Sequence, residues 1–267
     1  MNEEYYGVKL DIRATGALTF RRMPSAILHI SSYPFIPPTT LSGWLRRLWL
    51  LSNGILPKTT VKKPQFYAMP QEFHVLGGYP VLGDAEIVQS TRMAGKCIHV
   101  ARRQGVRAFN HDAFSRLSGG RAKHEVYQLH TWEYLTVDSF QGFVLHREFE
   151  PLRKLCDLVN FGCKCGKEGY AFLEAVSSVK KFVRQVRVAS PSVPASGKEL
   201  LGQPADMFVA YRHEYDSTFE DPSPGAYEPS PISGFVSTWL GWPSREAELA
   251  YLTDGEYFIP AGMVEVF

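Results

Sequence analysis

Eight lysines and arginines fall between Ile87 and His124 (Arg92, Lys96, Arg102, Arg103, Arg107, Arg116, Arg121 and Lys123). Asp112 is the one carboxylate there, so the segment carries a net +7. Lys96, Arg102, Arg103 and Arg107 are interleaved with Val100, Val106 and Phe109. Guanidinium groups grip phosphate oxygens in pairs, and an aromatic ring such as Phe109 can stack on an unpaired base. The chemistry that fits is salt-dependent binding of single-stranded RNA. A solvated surface loop is the plain alternative, but such loops rarely exclude carboxylates so completely.

A second cluster lies in Gly162-Cys163-Lys164-Cys165-Gly166-Lys167-Glu168-Gly169. Glycines let a backbone pass close to a phosphate, and Lys164 and Lys167 could neutralise it. The Gly-Lys-Ser/Thr of a Walker loop is absent, and an ordinary helix-to-strand connection would also explain the glycines. The two cysteines invite a zinc reading. Zinc sites need two pairs of ligands at finger spacing; Cys97 is distant, Cys156 falls on an expected helix, and no metal or other cofactor is assigned. His99, His111, His124 and His130 lie in or beside the basic segment. They could act as acid and base in a metal-free ribonuclease, but histidines beside RNA also serve as plain contacts, and no catalytic residue is assigned.

These residues need elements to position them. Val8, Leu10 and Ile12 alternate with Lys9, Asp11 and Arg13, which predicts a half-buried strand. Pro37-Pro38 blocks a helix, and Thr39 or Thr40 then caps one running over Thr40–Ser52. Leu41, Trp44, Leu45, Leu48 and Leu51 share one face of it, and Asn53-Gly54 closes it with a left-handed cap. Ser42 and Gly43 leave its first turn without bulk, which admits either another strand or an anionic ligand at the free amides. Phe66–Leu76 reads as a strand, Ile87–His124 shows no sustained period, and Glu125–Leu145 returns to β character. A short amphipathic helix is expected over Phe149–Val159, with Phe149, Leu152, Leu155, Cys156 and Val159 on one face. A strand over Tyr170–Val183 follows the glycine-rich loop.

The order is strand, helix, strand, basic insertion, strand, helix, strand. That predicts an α+β fold: a ferredoxin-like, RRM-like βαββαβ domain over 1–187 with a basic insertion at about 87–124. Ser190–Gly197 has linker composition, and the Pro-, Gly- and aromatic-rich remainder predicts a small, mostly β appendage over 188–267. From His213 to Glu256 nine carboxylates face Arg245 alone, a net −8, so the overall +2 of the 267 residues conceals a dipolar chain. Hydrophobic content of 45% is that of a globular protein. The acidic start, Met1-Asn2-Glu3-Glu4-Tyr5, is no secretory signal, and no apolar run reaches the ~20 residues of a membrane helix. The chain is read as soluble and cytoplasmic, without a membrane partner.

Four stretches carry a resemblance. They are Pro37-Pro38-Thr39-Thr40-Leu41-Ser42-Gly43 after Ser32-Tyr33-Pro34-Phe35, then Glu133-Tyr134-Leu135-Thr136-Val137-Asp138, then the Gly162–Gly169 loop into Tyr170-Ala171-Phe172, and finally Tyr257-Phe258-Ile259-Pro260-Ala261-Gly262. Their order and spacing over nearly the whole chain resemble the RAMP superfamily of CRISPR-associated proteins. Within it, the chain looks like the small subunit that caps the 5′ handle of the guide RNA (crRNA) in Cascade-type, type I-like effector complexes of antiviral defence.

The resemblance implies a β-hairpin thumb, inserted between the second and third strands, that hooks the handle. Here it falls within Ile87–His124. It also implies contact with the first of the repeated backbone subunits and with the large subunit that reads the protospacer-adjacent motif, with target DNA nearby. Ser42, Arg46, Lys164 and Lys167 would then lie close to RNA, joining Arg92, Lys96, Arg102, Arg103, Arg107 and Phe109. One branch of the family cleaves the guide precursor, but its Tyr/Lys/His constellation has no clear counterpart here.

The leading reading is therefore a non-catalytic crRNA-binding subunit of a ribonucleoprotein. The alternatives are a metal-independent endoribonuclease acting on repeat RNA and a generic single-stranded RNA-binding module. Replacing Arg102, Arg103 and Arg107 together by Ala is expected to weaken handle binding and to flatten its dependence on salt. Titrations at several salt concentrations check this, and an unchanged slope counts against the thumb assignment.

Overall fold

A computed structural model describes residues 4–23, 29–55, 68–81, 86–95, 127–167, 169–215 and 232–267. The protein is mixed α+β, rich in strands and poor in helix, and built around an antiparallel sheet. Among the described residues no helix is long and apolar enough to cross a membrane.

Strand β1 (Glu4–Ala14) follows from its alternation: Val8, Leu10 and Ile12 are buried, whereas Lys9, Asp11 and Arg13 reach solvent. A two-residue strand, β2 (His29–Ile30), precedes helix α1 (Pro38–Ser52). The expected cap is corrected here. Pro37 is the cap residue, Pro38 opens the first turn, and no side chain bonds the free amides. Proline suits the first helical position because its missing N–H would have no partner there anyway. Leu41, Trp44, Leu45 and Leu48 are buried as the spacing predicts, and Gly54 closes the helix with φ of 72°.

The next strand is β3 (His74–Pro80), later than the 66–76 expected. Its position is set by paired bonds between Ile36 and Gly78, N–H to O in both directions at 2.8 and 2.9 Å. Strand β4 (Glu86–Gly95) and strand β5 (Tyr127–Thr136) pair antiparallel over ten positions, from Glu86 opposite Thr136 to Gly95 opposite Tyr127. The start of the insertion is thus regular, and the paired arms extend past both limits set at 87–124. Residues 96–126 lie outside the described residues. The single stretch expected over 125–145 is broken at Val137-Asp138 into β5 and β6 (Ser139–His146).

The second helix is shorter than expected: α2 (Phe149–Arg153), continued by a 3₁₀ turn over Lys154–Leu158. With about three residues per turn, the buried residues become Leu152, Leu155 and Leu158, while Phe149 and Cys156 face outward. After β7 (Gly162–Lys164), the strand expected over 170–183 is divided into β8 (Tyr170–Val176) and β9 (Lys180–Ala189). The remainder holds β10 (Ala195–Ser196), β11 (Ala205–Tyr215), β12 (Ile232–Pro243), β13 (Ala247–Thr253), β14 (Phe258–Pro260) and α3 (Ala261–Val266).

The main sheet has the order β14-β13-β9-β1-β6-β3, with β8 also on β1 and β7 on β8. Strands β13 and β14 therefore extend the same sheet that β1 begins. Two three-stranded sheets flank it, β2-β5-β4 and β10-β12-β11. The latter is fastened to the core by Phe208, whose ring lies 5.1 Å from Phe35 and 6.4 Å from Tyr33. Tyr33 adds a hydrogen bond from its hydroxyl to Val209 O at 2.6 Å, and burial pushes its pKa up to about 12.

On β11, burial beside Phe235 pushes the His213 pKa down to about 4. The folded state holds this imidazole neutral, while the unfolded chain takes up a proton near 6.5. Its contribution is therefore complete above pH 6.5 and is lost as pH falls toward 4. Urea unfolding of the wild type is expected to lose on the order of 2–3 kcal/mol more than His213→Gln between those limits. Equal losses in both proteins would contradict the assignment.

Candidate nucleic-acid interface

The glycine-rich loop owes its glycines to packing. Gly166 and Gly169 have φ of 74° and 90°, which side chains rarely adopt. A Cβ on Gly166 would lie 2.7 Å from Thr19 O, and one on Gly169 would lie 2.6 Å from Ala17 O. The segment 17–20 thus runs directly across the loop, and Lys167 N–H donates to Thr19 O at 2.9 Å. On its other side the same segment is bonded to β5. Leu18 and Leu135 exchange N–H to O bonds of 2.9 and 2.7 Å, and Thr19 Oγ1 donates to Glu133 O at 3.0 Å.

This sandwich brings Lys167 to the hairpin. Its ammonium stands 5.4 Å from the centre of the Trp132 ring, within cation–π range. Two residues on, Tyr134 lies on the same face of β5, its ring nearly parallel to Trp132 with centroids 6.5 Å apart. Both rings are partly exposed, as is Lys164, which projects from β7. Glu133 points the other way and is held within the fold. Its carboxylate accepts from Ser32 N–H at 2.8 Å and Gln89 Nε2 at 3.3 Å, with His29 Nε2 3.5 Å away. A cation and two aromatic rings therefore share one surface, with the Glu133 carboxylate turned inward. Such a surface can stack bases and neutralise a phosphate.

The other expected residues are distributed as follows. Arg92 is on β4, opposite His130 in the hairpin register. Lys96, Arg102, Arg103, Arg107 and Phe109 lie outside the described residues, as do His99, His111, His124 and Cys97. Ser42 is 5% exposed, and its hydroxyl accepts from Met69 N–H at 2.9 Å. Arg46 is 1% exposed. Both are enclosed by protein, so the small residue at 42 has a packing reason of its own. Helix α1 does meet the loop, but through its buried side: Trp44 Nε1 donates to Cys163 O at 3.4 Å.

Burial pushes the Cys163 thiol up to about 11 and the Cys165 thiol higher still. Among the described residues no group of three His, Cys, Asp or Glu is placed to hold a metal ion. Sequence reasoning missed Trp132 and Tyr134 as site residues. Their signal was two aromatics at strand spacing just after the basic segment.

The described residues thus define an α+β protein with a cationic, aromatic surface where a hairpin leaves the main sheet. No family model matches the chain, and no curated protein does. Among solved structures it is similar to a CRISPR protein from Archaeoglobus fulgidus, with 13% identity over 95% of this chain and 97% of that one, at a TM-score of 0.39.

If the loop glycines serve packing rather than a phosphate, Gly166→Ala is expected to lower stability by about 2 kcal/mol in urea unfolding. A variant as stable as the wild type would restore the phosphate-cradle reading.

Proposed function

We propose that this chain is a non-catalytic RNA-binding subunit of a RAMP-type CRISPR effector, holding the 5′ handle of the guide RNA. The observation that carries the reading is the Lys167 ammonium over Trp132 at the root of the β4–β5 hairpin. It joins two features singled out separately in the sequence, the glycine-rich loop and the basic insertion.

The strand order adds support. Strands β8 and β9 share one edge of β1, β6 takes the other, and β3 lies beyond β6. Helix α1 falls between β1 and β3, and α2 between β6 and β8. A ferredoxin-like βαββαβ unit would have this strand order, and in that reading the hairpin enters between its second and third strands, as a thumb would. In this reading Lys164, Lys167, Trp132 and Tyr134 receive the RNA as it leaves the thumb. Arg92, Lys96, Arg102, Arg103, Arg107 and Phe109 grip it further out. The repeated backbone subunits and the large motif-reading subunit adjoin this cytoplasmic complex, with target DNA nearby.

The test uses single-stranded RNA carrying a 5′ handle derived from a CRISPR repeat. Trp132→Ala should weaken its binding by 1–3 kcal/mol, the worth of one stacked base. Lys167→Glu should weaken it and reduce the salt slope by about one. Wild-type affinity in both variants would sink the proposal. Specific cleavage of the RNA in EDTA would replace it with the endoribonuclease.

A further inference from the structure

Strand β12 has one edge only partly covered. Strand β10 pairs Ala195 with Gly241 and Ser196 with Leu240, and Gly197 N–H then donates to Trp239 O at 2.8 Å. There the described pairing ends. Antiparallel strands turn alternate residues toward each neighbour, so the N–H and C=O of Ser237 point to the same side as Trp239 O. Among the described residues nothing pairs with them.

Beside this edge runs a groove of about 640 Å³, lined by Leu201, Met207, Val236, Ser237, Trp239 and Val266. Leu201 is 79% exposed, Trp239 59% and Met207 41%. A tryptophan this open beside other apolar side chains is the usual anchor of a protein contact. Lys198 and Arg212 also line the groove. Its carboxylate, Glu265, already faces Arg184 at 3.9 Å, so the groove is left with an excess of positive charge.

We propose that the edge of β12 at Ser237, unpaired among the described residues, takes up an extended segment of a partner protein. The segment is apolar at alternate positions and carries a carboxylate opposite Lys198 or Arg212. It continues the short ladder begun by β10: its backbone bonds Ser237, and its apolar side chains cover Trp239, Met207 and Leu201. A nucleic acid would offer neither the ladder-forming amides nor the aliphatic side chains. This inference does not depend on the RNA-binding reading, which concerns the β4–β5 hairpin.

The probe is a labelled peptide of about eight residues, with Val and Leu on one strand face and two Glu on the other. A second peptide has Lys for Glu, and a third is N-methylated at alternate amides. Fluorescence anisotropy with the full chain is expected to show micromolar binding of the first. Binding should be at least ~10-fold weaker for the other two, and for the first peptide with Trp239→Ser. Trp239→Ser should keep the wild-type melting temperature and RNA affinity.

Several results would overturn the proposal. They are no binding by the first peptide, equal binding of the N-methylated or Lys peptide, or an unchanged affinity in Trp239→Ser. Loss of RNA affinity in that variant would assign the groove to nucleic acid. A dimer in sedimentation that Trp239→Ser dissolves would assign it to a second copy of this chain.

Discussion

One edge of β1 is asked to serve two strands. Glu4–Gly7 pairs with β9 and Leu10–Ala14 pairs with β8, while the opposite edge pairs with β6 from Tyr6 to Arg13. The ladder can change partner because the chain turns a corner at Ser177–Val179. Ser177 holds that corner from both sides: its hydroxyl accepts from Lys9 N–H, and its own N–H donates to Lys9 O, each at 2.9 Å. A register shift between Asp11 and Ile12 absorbs the mismatch, as a bulge does. Strand β8 leads back to the glycine-rich loop and β9 leads on to β13, so both ends of the molecule take their position from this strand.

The candidate interface rests on a second convergence. Segment 17–20 has the loop on one side and β5 on the other, and backbone bonds join it to both. That is why the loop needs glycine at 166 and 169, and why Lys167 arrives at Trp132. The backbone of the lysine is fixed by its own N–H bond to Thr19 O. Such positioning reduces the entropy lost when a ligand is bound.

Part of this was legible in the sequence. The two-residue period of β1 and the buried face of α1 read correctly because each packs one side on a single core. The β4 arm did not, because Ile87 and Val88 are adjacent and both remain about two-fifths exposed. An arm exposed at each residue from Glu86 to Gln89 has no apolar period to detect. The 3₁₀ turn after α2 shifted the buried positions from a 3.6 to a 3.0 spacing, which exchanged Cys156 for Leu158. For the interface, the basic segment and the loop lysines stood out by composition. Trp132 did not, since the bonds that bring it to Lys167 run through residues 17–20, far from both in the chain.

The corner at Ser177–Val179 also bears on how such a chain can change over generations. It is bonded on both sides of its turn, and a one-residue change in length there would reverse the face presented by every residue of β9. Gain or loss of residues is therefore confined to connections that bridge two strands at their open ends. The links from β4 to β5 and from β11 to β12 are of that kind, and they carry much of the two opposite charge excesses. The sheet can be inherited unaltered while the lengths of those links vary.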